Sequence, residues 1–296
     1  MPWARPGSFG IGTIAGWVRS AVRTWRVVRS LPERSGIVVM VPPVFAAAVA
    51  LGAARPETRV CVDLHSGALN DARWAWSRRW MIRLLRRCHG VIATNMEILG
   101  GIDLGATPVM LLVEAAPLAE LGSSTVSDRP IPESLRQPVA LFPASGAADE
   151  PLEQLEVAAS LLKGEVRVVA TGNLPQGPEG GALERVGFLA DEDYWRLFEQ
   201  ARVVLALTSR EATSQQSATE AVGAGKPLVC TDTVMLRTTF GPCSEFCDNS
   251  PESIARAVRS ALRDAEQLSD GTVSVAQAIA SQRARTLARL DRVLRS

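Results

Sequence analysis

The chain has 296 residues, 47% of them hydrophobic, enough length and apolar content for two ordinary domain cores. A net charge of +1 with no recognition motif argues against nucleic acid as a partner. The near-neutral total conceals an asymmetry: residues 1–137 carry 16 Arg against 10 acidic residues (+6), whereas residues 138–296 carry 16 Lys and Arg against 21 acidic residues (−5).

Six of the seven Trp lie in the first half, and Trp195 is the exception. The five cysteines, Cys61, Cys88, Cys230, Cys243 and Cys247, are odd in number and read as reduced thiols of a cytoplasmic protein. Cys243 and Cys247 have no further Cys pair or nearby His to complete a ligand set, so no metal site is expected. The opening residues lack a basic segment followed by an apolar stretch, so no signal peptide is expected. The longest apolar run, Ile37 to Ala54, is broken by Pro42-Pro43 into a strand and a short helix and makes a poor transmembrane span.

In chain order, apolar residues from Ile14 to Val28 recur at helical spacing, with Arg19, Arg23, Arg26 and Arg29 largely off that stripe. Pro32 ends this helix. Strands are expected at Ile37–Val41, Arg59–Asp63, Val91–Thr94 and Val109–Val113, with helical segments between them. The stretch Gly122–Pro138 is polar and proline-containing and reads as the linker between two halves. Further strands are expected at Val139–Phe142, Val166–Ala170, Val203–Leu207 and Leu228–Cys230. The intervening helices run roughly Glu150–Lys163, Glu192–Gln200 and Ser214–Ala224. Alternating strands and helices imply an α/β class with parallel sheets. The domains expected are 1–137, 138–272 and a C-terminal Arg-rich helix, 273–296, that crosses back to the first domain.

In open parallel sheets, ligands sit outside the carboxyl ends of the strands, where helix starts expose backbone N–H groups. Ser145 and Gly146 follow one strand, and Thr171, Gly172 and Asn173 follow the next; their small size admits a phosphate or makes an ordinary turn. More informative is the run from Thr208 to Pro227, TSREATSQQSATEAVGAGKP. Here a buried strand opens into a polar loop and then a helix, which Thr213 or Ser214 can cap. The following amides, through Gln215 and Gln216, can then hold a diphosphate, and Glu220 can accept both hydroxyls of a ribose.

The segment from Pro138 to Ala261 resembles the donor-binding domain of the GT-B glycosyltransferases, particularly the retaining family 4. The carrying motifs are VALFPASGAADEP, VRVVATGN, RVGFLADEDYWRLFEQARVVLALTSRE and TEAVGAGKPLVCTD. The TSREAT segment is similar to a bacterial subgroup with a Thr-Arg-(Asp/Glu)-x-Thr signature. The resemblance implies two Rossmann-like domains with a reduced N-terminal one, and a metal-independent sugar transfer from a nucleotide-sugar, expected to be a UDP-sugar, to an acceptor in the interdomain cleft. It implies that Gly187, Phe188 and Leu189 meet the base and that Glu220 binds the ribose. His65, within Asp63-Leu64-His65-Ser66-Gly67, is similar to the family's sugar-facing His, with Asp63 orienting its ring; a helix-capping loop is the plain alternative.

Three departures from the family pattern stand out. Ser145 to Asp149 lacks the Arg and Lys that neutralise the diphosphate, leaving Arg210 as the nearest replacement. The family pairs two glutamates eight positions apart, and Glu211 misses that spacing from Glu220 by one, which leaves retention or inversion open. The opening strand and Gly-rich loop are not evident before Ile14. A catalytically silent nucleotide-sugar-binding subunit and a GT-B-fold epimerase or phosphorylase are the rival readings. Finally, Arg73, Arg78, Arg79, Arg83, Arg86 and Arg87 cluster with Trp74, Trp76 and Trp80. This fits either peripheral contact with an anionic membrane face or a packed helix with a solvated Arg face.

Overall fold

A computed structural model describes residues 11–70, 72–115 and 139–295. The expected linker at 122–138 lies outside the described residues. The chain divides into two compact units, residues 1–113 with 282–296, and residues 114–281.

The first unit opens with helix α1 (Ile11–Ser30), followed by β1 (Gly36–Val41), α2 (Phe45–Ala53) and β2 (Arg59–Leu64). Then come a short α3 (Gly67–Asn70), a 3-10 turn (Ala72–Ser77), α4 (Arg78–Leu85), β3 (Gly90–Ala93) and β4 (Val109–Leu111). The four strands pair in chain order, all parallel. Val41-Pro42 and Pro42-Pro43 are both cis, and they close β1 where the sequence breaks its apolar run.

The second unit contains β5 (Val139–Pro143), α5 (Leu152–Leu161), β6 (Arg167–Thr171), β7 (Leu183–Gly187), α6 (Asp191–Gln200) and β8 (Ala201–Ala206). It continues with α7 (Gln216–Gly223), β9 (Leu228–Thr231), α8 (Val234–Phe240), β10 (Ser244–Cys247), α9 (Pro251–Arg263) and α10 (Ala265–Arg295). Its six parallel strands lie in the order β7-β6-β5-β8-β9-β10, so the chain reverses direction of growth between β5 and β8. Continuous apolar strands such as Val139–Phe142 follow from burial on both faces. Ala140 and Phe142 join the core under α5 and α9, while α6 packs against β5 and β8 and α7 against β8 and β9.

Strands β7 and β10 and helices α8 and α9 add to the expected elements. Strand β7 is short and carries Glu184 and Arg185, so it lacks an apolar run; the Arg185–Glu156 ion pair at 2.7 Å ties this edge strand to α5. Helix α9 carries its signal in Ser250-Pro251, a cap followed by proline at the first helical position. It buries Ile254, Val258 and Ala261 along one stripe.

The C-terminal helix begins at Ala265 rather than at Val273, because Gly271 continues the helix. A Cβ at Gly271 would lie 2.0 Å from the Pro242 carbonyl oxygen, so the glycine permits a close approach that a side chain would block. From Gln282 the helix belongs to the first unit. There the Arg283 guanidinium and Thr286 hydroxyl donate to the carbonyls of Val113 and Leu111, each at 2.6 Å, and Arg289 donates to that of Val109 at 3.2 Å. Three side chains at helical intervals of three thus satisfy alternate carbonyls beside the edge strand β4, which shields it from pairing with another chain. Leu290, Val293 and Leu294 pack on the core formed by Cys61, Ile92 and Met110.

Candidate functional site

The reversal of strand order between β5 and β8 is the topological switch point of the second sheet, the place where open parallel sheets bind ligands. A buried polar network holds these loops. Asp149, 8% exposed, accepts from the hydroxyl of the fully buried Thr208 at 2.6 Å, and its carbonyl accepts from Ser209 N–H at 2.8 Å. Thr208 N–H donates to the Thr231 hydroxyl at 3.0 Å, Thr231 donates to Asn249 Oδ1 at 2.7 Å, and Asn249 Nδ2 donates to the Thr208 carbonyl at 2.9 Å. Each buried polar group thus has a partner, which is what its desolvation demands. Asp149, Thr231 and Asn249 escaped the sequence reading because they lie 59, 23 and 41 residues from Thr208.

The loop after β5 holds its own anion. Glu150 accepts from Ser145 through both its N–H and its hydroxyl, each at 2.7 Å, and from Gly146 N–H at 3.0 Å. The amides expected to face a phosphate therefore hold a carboxylate. Arg210 is exposed, and its guanidinium lies 3.7 Å from the Asp149 carboxylate, a loose pair.

Thr171 is the last residue of β6 and is buried, rather than part of the loop as expected. Gly172 has φ +91°, and a Cβ there would lie 2.0 Å from the Ala144 carbonyl oxygen, so the loops after β5 and β6 meet backbone to backbone. Asn173 is exposed beyond it. Gly172 N–H donates to the Gly187 carbonyl at 2.8 Å, joining the ends of β6 and β7. Gly187 turns the chain at φ +76°, and Phe188 projects with 87% of its surface exposed, followed by a half-buried Leu189. A bare aromatic ring at a strand end offers a stacking face.

Helix α7 starts later than expected. Its cap is Gln215 in an extended conformation with no side-chain cap bond, so neither Thr213 nor Ser214 caps it; both lie in the preceding loop, as does the exposed Glu211. Glu220 is half-buried, and both of its carboxylate oxygens are engaged. The Tyr194 hydroxyl of α6 donates at 2.5 Å, and the Gln216 amide donates at 3.4 Å. Burial pushes the Glu220 carboxyl above the usual carboxylate range, opposed by these two hydrogen bonds and reinforced by the charge of Glu114. Burial likewise raises the Tyr194 phenol, so it stays a donor. Tyr194 is the only tyrosine in the chain, and no local motif marked it.

In the first unit, Asp63 lies near the end of β2, and its Oδ2 is 3.3 Å from His65 Nε2; the backbone N–H of His65 donates to the Val41 carbonyl at 3.1 Å. Asp63 and His65 are both partly exposed. His89 has a structural task, since its Nδ1 accepts from Val60 N–H at 3.0 Å. Trp74 packs on Trp17 with ring centroids 5.9 Å apart, so it belongs to the packing of this unit. Among the described residues, no three His, Cys, Asp or Glu side chains group as a metal site, and no helix is long and apolar enough to cross a membrane.

Comparisons with known proteins agree with this architecture. Residues 152–293 match a family described as glycosyl transferase-like. No curated protein sequence matches the chain. The chain is similar to the α,α-trehalose 6-phosphate synthase of Burkholderia multivorans, with 13% identity over 97% of this chain and 78% of the other and a TM-score of 0.72. The trehalose-6-phosphate protein of E. coli, bound with UDP-2-fluoro glucose, gives 12% identity over 98% and 80% with a TM-score of 0.75. The sucrose-phosphate synthase of Thermosynechococcus elongatus gives 16% identity over 96% and 78% with a TM-score of 0.69. The chain therefore has a GT-B-like fold of two parallel α/β sheets, the N-terminal one smaller, and its residues 152–293 match the glycosyl transferase-like family.

Proposed function

We propose that the chain is a glycosyltransferase that takes a sugar from a nucleoside diphosphate donor, expected to be a UDP-sugar. The observation that carries this reading is Glu220: a half-buried carboxylate on α7, oriented by Tyr194 and Gln216. A carboxylate with two fixed oxygens suits the paired hydroxyls of a ribose, and the exposed Phe188 ring after Gly187 suits the base as a stacking surface. The UDP-2-fluoro glucose held by the similar E. coli protein adds support for the donor class.

The groups facing the diphosphate would be the Asn173 amide, the amides preceding α7 and the Arg210 side chain, since the Gly172 N–H is spent on the Gly187 carbonyl. Arg210 would exchange its loose contact with Asp149 for the donor, which stabilises the departing diphosphate without a metal. His65, with Asp63 beside it, is assigned to the sugar and Glu211 to the donor-side loop. The transfer would occur at the inner side of the cell.

A second reading is favoured by one specific observation. Glu150 occupies the Ser145–Gly146 amides and puts negative charge where a diphosphate would need positive charge. A nucleotide-sugar-binding subunit without turnover would tolerate this arrangement. Calorimetric titration with UDP, GDP, dTDP and ADP, followed by UDP-sugar turnover with sugar and sugar-phosphate acceptors, decides between them. Binding with turnover supports transfer, binding without turnover supports the silent subunit, and no binding to any of the four nucleotides rejects both.

A further inference from the structure

Helix α1 contains no acidic residue, and the stretch from Ala72 to Met96 contains none either. On α1, Trp17, Ala21, Thr24 and Val28 form the inward stripe, with Val28 buried in the core beneath α2. Next to it, Val18, Val22 and Trp25 occupy one stripe at intervals of four and three, and are 58%, 43% and 45% exposed. Arg19, Arg23 and Arg26 form the adjoining stripe with the same spacing and are all exposed. An apolar stripe left in solvent beside a cationic stripe differs from a helix that is simply packed. Packing buries the apolar side and leaves only charge outside.

The second segment repeats the pattern. Helix α4 buries Met81, Leu84 and Leu85 and holds Arg78, Arg79 and Arg83 in solvent, as a packed helix would. Packing does not account for Trp76, which is 77% exposed, or for Trp80 at 38%. The two segments are neighbours within this unit, because Trp17 of α1 contacts Trp74 of the 3-10 turn and Phe45 of α2, at 5.9 and 5.7 Å between ring centroids.

We propose that the first unit docks on the surface of an anionic lipid bilayer through α1 and the Ala72–Leu85 segment. Indole rings prefer the boundary between apolar and polar layers, and arginines meet phosphate headgroups. The charge complementarity is one-sided because no carboxylate lies on either segment to repel the lipid. Attachment is peripheral, since no described helix is long and apolar enough to cross a membrane. This proposal stands independently of the donor reading, which concerns the other unit.

The test is co-sedimentation of the full chain with vesicles of phosphatidylcholine, with and without phosphatidylglycerol, at low and high salt. Two variants accompany it, Arg19→Glu/Arg23→Glu/Arg26→Glu and Trp76→Ser/Trp80→Ser, with thermal melts confirming folding. Binding is expected only with phosphatidylglycerol, weaker at high salt, and reduced at least about tenfold in either variant. Absence of binding to anionic vesicles at low salt, or equal binding by the folded variants, overturns the proposal. So does light scattering that shows a dimer dissolved by the same substitutions, which would assign the surface to a second copy of the chain.

Discussion

Glu150 accepts hydrogen bonds from Ser145 through both the backbone N–H and the hydroxyl, each at 2.7 Å, and so rests a carboxylate on the amides that open the β5–α5 connection. A phosphate placed there would meet repulsion before it met a donor. Glu150→Gln keeps the shape and removes the charge, and it should raise UDP affinity about tenfold, or about 1.4 kcal/mol. Isothermal titration against the parent protein checks this; an unchanged or weaker Kd shows that the diphosphate avoids this loop.

Glu220 carries the second expectation. Its folded pKa lies above its unfolded value of 4.5, so the proton held in the folded state contributes stability that is present below 4.5 and lost as pH rises through the raised pKa. Glu220→Gln should flatten that slope in thermal melts. Nucleotide binding needs the ionised form, so affinity should fall as pH drops through the raised pKa. Tyr194→Phe removes a hydrogen bond that lowers this pKa, and should move the affinity loss to higher pH. Glu220→Ala should cost about 2 kcal/mol in nucleotide binding with the fold intact. Identical pH profiles for parent and Tyr194→Phe would break the link between these residues.

Gly172→Ala should destabilise the second unit by about 3 kcal/mol, because a left-handed φ of +91° is combined with a Cβ 2.0 Å from the Ala144 carbonyl oxygen. Chemical denaturation measures it. A change under about 0.5 kcal/mol would mean that the two loops separate at little cost.

His89 is pushed below its ordinary 6.5 by burial, with the charge of Arg59 adding to the effect. Its neutral ring accepts from Val60 N–H, so the stability it contributes is present above 6.5 and lost as pH falls through the lower folded value. His89→Gln should remove part of the acid-side fall in Tm. A parallel pair of Tm profiles from pH 7 to 5 would contradict this.

All five cysteines are buried, and burial pushes Cys61, Cys243 and Cys247 up to about 11 and Cys88 up to about 12. The thiolate is the reactive form, so a thiol reagent at neutral pH should modify none of them in the folded protein and all five after denaturation. Rapid modification of one thiol in the native state would reveal local opening at that strand.

Much of the architecture was legible because strands such as Val139–Phe142 and Val203–Leu207 are uninterrupted apolar runs set between helical periods, and a buried parallel strand has no other signature. Strand β7 was not legible, since an edge strand stabilised by Arg185 and Glu156 has no apolar run to betray it. Glu220 was marked by its place in a motif, while its partner Tyr194 stands 26 residues away, and only the packing of α6 beside α7 brings them together. The cap expected at Thr213 or Ser214 failed because the extended loop runs on to Gln215, which starts α7 with no side-chain cap bond, so loop geometry overrides cap preference here. The sequence by itself determined the types of the strongly patterned elements, the two-sheet class and the amphipathic Arg/Trp segments, all of which follow from local periodicity and side-chain chemistry. Only the tertiary structure decided that Glu150 fills the Ser145–Gly146 amides, that Asp149 is locked to Thr208, and that Arg283, Thr286 and Arg289 guard β4. Hydrogen bonds and charge pairs are chosen by distance in space, and that distance exists only once the chain has folded.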